Sequence, residues 1–120
     1  MARTALTANL LKGPFPSSVN AGDLDLTWTV ADPTNKNAVP ASGRDIILFW
    51  NTDTVSHNIN ISSAPDSRNR KGDIGPYSLG ASKIGHFQVT DTVGWVQSDG
   101  NLYFDADSAL VKYAVLKLNF

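Results

Sequence analysis

Residues 44–62 read RDIILFWNTDTVSHNINIS. From Ile46 to Trp50 the chain is apolar on both faces, and from His57 to Ser62 apolar and polar residues alternate. A short continuous apolar run suits a strand covered on both sides. Strict alternation suits a strand with one face in water. The polar stretch between them is turn chemistry, so the segment reads strand, turn, strand.

The rest of the chain follows the same grammar. All eleven acidic residues are Asp, with no Glu, alongside nine Gly and six Pro. Glu favours helices, whereas Asp competes for the backbone and favours turns. Helix-period runs are absent, and 120 residues suit one domain with one core. LDLTWTV (24–30) places Leu24, Leu26, Trp28 and Val30 on one face of a half-buried strand, with Trp28 in the core. Residues 31–43 and 63–82 read as loops, the second with room for a short strand at Tyr77–Leu79. Further strands are expected at IGHFQV (84–89), GWVQ (94–97), NLYF (101–104) and LVKYAVLKL (110–118), with Asp99-Gly100 closing a hairpin. Short strands at this spacing predict an all-β fold, a single-domain β-sandwich of jelly-roll-like form over residues 24–120. Pro14 and Pro16 forbid a helix near the start, so residues 1–23 are expected to form an extended N-terminal arm. Removal of residues 2–20 is then expected to leave a folded domain.

Composition restricts the chemistry. A net charge of −1 supplies no bulk attraction to nucleic acid or anionic lipid, so neither is expected as a partner. The opening residues lack the apolar core of a signal peptide, and no stretch approaches a membrane span. A redox copper site needs a thiolate and two imidazoles, but the chain has no Cys and its Met is the first residue. His57 and His86 have no metal-like spacing, so no metal or other cofactor is expected. Asp105-x-Asp107 begins like a calcium loop, but Ala109 and Leu116 stand where ligands belong. GASKIGH (80–86) lacks the ending of a phosphate loop, and no catalytic triad is suggested, so the chain is expected not to be an enzyme.

What remains is surface. Leu10, Leu11 and Phe15 lie in a Pro-bounded segment that must cover them against something. Trp50 and Trp95 are large contact residues, and Arg68, Arg70 and Lys71 form a basic cluster in a long loop. RDIILFW and LVKYAVLKLNF carry apolar residues on both faces, Tyr113 on one and Phe120 on the other. A two-layer domain buries one face of each sheet, so the surplus predicts an interface and a homo-oligomer, with a trimer favoured.

Taken together, RTALT, SGRDIILFWNT, RKGDIGPYSLGASKIGHF, GWVQSDGNLYFDA and VKYAVLKL resemble the frame of small structural proteins of tailed bacteriophages. The resemblance spans most of the chain and rests on fold-shaping residues, none of them catalytic. It implies a capsid decoration or cement protein that binds the major capsid protein. Its place would be the capsid surface of the virion, after assembly in the cytoplasm of a bacterial host. A tail or head–tail junction component is the alternative within that class. A metal- or carbohydrate-binding sandwich is the alternative outside it, motivated by His57, His86, Trp95 and Tyr103.

Overall fold

A computed structural model describes residues 3–12, 20–22, 24–65, 68, 70, 72–89 and 92–118. The chain forms β1 (Thr4–Ala5), β2 (Asn9–Leu10), β3 (Thr29–Val30), β4 (Asn37–Pro40) and β5 (Asp45–Asn51). It continues with β6 (His57–Ser62), β7 (Ile74–Leu79), β8 (Ile84–Val89), β9 (Asn101–Ala106) and β10 (Val111–Lys117). One sheet runs β1-β4-β9-β6-β7; the other runs β2-β10-β5-β8, with β3 also pairing β10.

The pairing is nested. β3 pairs β10, β4 pairs β9, β5 pairs β8 and β6 pairs β7, all antiparallel. Successive pairs alternate between the two sheets, as when one long antiparallel ribbon is rolled up. That is the jelly-roll arrangement, and the all-β sandwich expected from the strand spacing is the observed fold.

Alternation sets the core. In β5, Asp45, Ile47, Phe49 and Asn51 face inward and are buried, while Ile46, Leu48 and Trp50 face out. Val111, Tyr113 and Val115 of β10 lie in the same inward rows as Asn51, Phe49 and Ile47. Phe49, Phe104 and Tyr113 meet edge to face between the sheets, with centroids 4.8–6.2 Å apart. This geometry matches the positive ring edge of one aromatic to the negative face of the next.

Several expectations are corrected. The described residues of the supposed arm are part of the sandwich. β1 adds parallel to β4, and β2 adds parallel to β10. Leu6, between them, is 5% exposed and belongs to the core. The segment passes from the edge of one sheet to the edge of the other and ties them together. Residues 31–43 contain a strand, β4, in which Asn37 and Val39 are fully buried. Its loop-like composition reflects Asn37, whose side chain accepts from Asp32 N at 2.9 Å in place of a backbone partner. GWVQ forms a turn instead of a strand. Gly100 (φ 85°) does close a tight turn, with Gly100 N donating to Gln97 O. β9 leaves that turn to pair with β4 and β6. Of LDLTWTV, Thr29–Val30 is a strand, and its apolar face points outward: Val30 is 52% exposed. Tyr113, expected at an interface, is fully buried because it supplies the central ring of the core.

Candidate functional site

The outer face of the β3-β10-β5-β8 sheet is where the apolar surplus emerges. Strand register arranges it in rows across the sheet. Val30, Lys112, Trp50 and Ile84 form one row; Ala114, Leu48 and His86 form the next; Leu116, Ile46 and Gln88 form a third. Trp28, just before β3, reaches over the first row to meet Trp50 edge to face, with centroids 5.4 Å apart. Lys112 lays its ammonium 5.7 Å from the Trp50 ring centroid. Ile84 at 58% exposure matches Val30, whereas Trp28, Leu48 and Ile46 are half-buried and Ala114 is covered. A sheet face that leaves several large apolar side chains partly exposed marks a contact surface.

At the edge opposite the β1–β2 crossing, the two sheets part between β7 and β8. An apolar slot of about 350 Å³ opens there, reaching Phe49, Ile59 and Ile61. Gly85 lines the slot from the inward row opposite Phe49, with Leu79 close to where its side chain would be. Ile74, Tyr77 and Phe87 complete the walls. The slot offers burial, with no converging set of charged groups.

His57 opens β6 at one end of the sandwich. Its Nε2 lies 2.7 Å from Asp53 Oδ2 and its Nδ1 lies 2.9 Å from Asp107 Oδ1. Neutral imidazole carries one N–H, so both contacts are hydrogen bonds only in the charged form. The Asp53 hydrogen bond first, then the charges of Asp107 and Asp53, hold the His57 pKa above its ordinary value, against some desolvation. The His57 hydrogen bond likewise holds Asp53 below the usual carboxylate range. Asn58 N also donates to Asp107 Oδ2 at 3.2 Å, and Thr52 N donates to Leu110 O at 3.0 Å. The group therefore fastens the β5–β6 link to the β9–β10 link. The two carboxylates stand at opposite ends of the ring and do not converge with it on one point. Among the described residues, no cluster of three or more His or Asp side chains is arranged to hold a metal ion. His86 lies in the other sheet, on its outer face.

The remaining expected contact residues are dispersed. Leu10 is 62% exposed on β2, and with Leu11, Leu24 and Leu26 it lines a groove of about 260 Å³. Trp95 packs edge to face on Phe87 at 4.9 Å and leans on the core, so its ring is largely spent on folding. Arg68 and Arg70 are exposed in a loop whose base is pinned by Ser63, which donates to Asp73 through its amide and its hydroxyl. Phe15, Lys71 and Phe120 lie outside the described residues. Trp28, Val30 and Ile84 were missed as surface residues. Alternation shows which residues share a face; it does not show which face is turned inward.

Compared with family models, with curated proteins and with solved structures, the chain matches none.

Proposed function

We propose that the chain is a non-enzymatic virion structural protein, a decoration or cement protein seated on the major capsid protein of a tailed bacteriophage. The observation that carries this reading is the outer face of the β3-β10-β5-β8 sheet, where Val30 and Ile84 are exposed and Trp28 and Trp50 are half-buried. A domain that already buries Phe49, Phe104 and Tyr113 between its sheets has no folding need for this second apolar layer. It has a use as a rigid contact surface. Decoration requires no pocket; it requires a stiff body, one adhesive face and many copies whose weak contacts add on a lattice. The likeness to phage structural proteins supports the same reading. Its segments fall on β1, β5, the β7–β8 pair, β9 and β10, the parts that shape the jelly roll.

Co-sedimentation tests this function. Shells of the major capsid protein assembled without the chain are mixed with the purified protein and pelleted. Saturable binding at a fixed number of copies per capsid subunit is expected. A chain that stays in the supernatant at every concentration, or that pellets only with isolated tails, refutes the decoration reading.

A further inference from the structure

Resting on that reading, we propose that the outer face of the β3-β10-β5-β8 sheet docks an apolar surface of the shell protein that sets a carboxylate over Lys112, and that this occupant is not a second copy of the chain.

In the rows Val30–Lys112–Trp50–Ile84, Ala114–Leu48–His86 and Leu116–Ile46–Gln88, none of these described residues is acidic. Lys112 stands beside Trp50 in the first of them. Closing any apolar surface over this face takes the Lys112 ammonium out of water, which is costly unless an opposite charge meets it. A second copy stacked face to face brings no carboxylate to either Lys112 from these rows. A shell surface with an Asp or Glu among apolar residues satisfies the ammonium and the apolar rows together. The Trp50 ring beneath the ammonium fixes where that carboxylate must come.

Strands about 4.8 Å apart and same-face residues about 6.8 Å apart give these rows on the order of 400 Å². A stable pairwise interface takes roughly 800 Å² per partner. The face is too small to hold two free copies together. It is large enough for a site repeated over a lattice, where many shallow contacts act at once.

Hydroxyl-radical footprinting of the free protein and of the shell-bound protein tests the assignment, together with shell binding by Lys112→Glu and Lys112→Gln. Circular dichroism checks that both variants fold. Trp28 and Trp50 are expected to be reactive in the free chain and protected on shells. Lys112→Glu should weaken shell binding about tenfold or more, and Lys112→Gln should fall between it and the parent. Binding to shells with Trp28 and Trp50 still reactive overturns the docking face and leaves the decoration reading intact. Protection that already appears in the free protein as its concentration rises assigns the face to a second copy and overturns the inference. Failure of the parent protein to bind shells overturns both.

Discussion

At the scale of single residues, Tyr113 and His57 show how local chemistry fixes behaviour. The Tyr113 hydroxyl is buried and has no hydrogen-bond partner among the described residues. Burial, the larger cause, and the nearby Asp105 charge push its pKa well up. A buried polar group without a partner costs about 1–3 kcal/mol, so removing it while keeping the ring is favourable or neutral. Tyr113→Phe should leave the urea midpoint unchanged or raise it. Tyr113→Ala should cost about 3–5 kcal/mol, as loss of a large core ring does. A loss above about 1 kcal/mol in Tyr113→Phe would show that the hydroxyl is bonded after all. His57 gives a pH dependence with a definite sign. Its folded pKa is raised above 6.5. Its stabilising contribution is therefore complete below about pH 6.5 and is lost as pH rises through the folded value. His57→Gln should lower the melting temperature clearly at pH 5.5 to 6 and much less near pH 9, on the order of a difference of a few degrees. An equal loss at both values would mean that the ring acts by packing alone.

At the scale of elements, the sequence was most legible where one strand face is polar. β6 and β8 were readable because alternation of Ile59 and Ile61, or of Phe87 and Val89, with polar residues states which side is inward. β4 was hidden because a buried Asn37 and the terminal Pro40 read as loop. β3 was readable as a face but inverted in direction, since Trp28 and Val30 form the outer layer while Ala31 is buried. The N-terminal segment was misread because ladder pairs as short as β1 and β2 carry no periodicity. Their role is visible only once β4 and β10 are in place. Leu6→Ala should cost about 2–4 kcal/mol in denaturant unfolding, because it empties a core position between the sheets. Removal of residues 2–12 should destabilise the domain further, and a truncated protein with the parent's unfolding midpoint would show that β1 and β2 are dispensable. Gly75 is a second point of close approach: at φ 124°, a Cβ there would clash with Asn60 Oδ1 and meet Ile59 O at 2.8 Å. Gly75→Ala should therefore lower the melting temperature by displacing β7 from β6, while Gly72→Ala, with open space around it, serves as the neutral comparison.

At the scale of the whole molecule, two layers of side chains are built on one sheet. The inner layer of Phe49, Tyr113, Val111 and Val115 closes the jelly roll against the other sheet. In the outer layer Trp28, Trp50 and Leu48 are half-buried, Ile84 is exposed, and Ala114 between them is covered. The sequence showed the surplus, through the two-sided runs at 46–50 and 110–118. It could not divide that surplus between core and surface, because both layers use the same residue types. In the function proposed, the outer layer is the adhesive surface of a virion component. A cryo-electron-microscopy reconstruction of the intact particle tests it most directly. The prediction is many regularly spaced copies on the capsid shell, each with the β3-β10-β5-β8 sheet turned toward the major capsid protein and Trp50 and Lys112 at the contact. Copies confined to the tail, or copies on the shell with that sheet facing solvent, would contradict it.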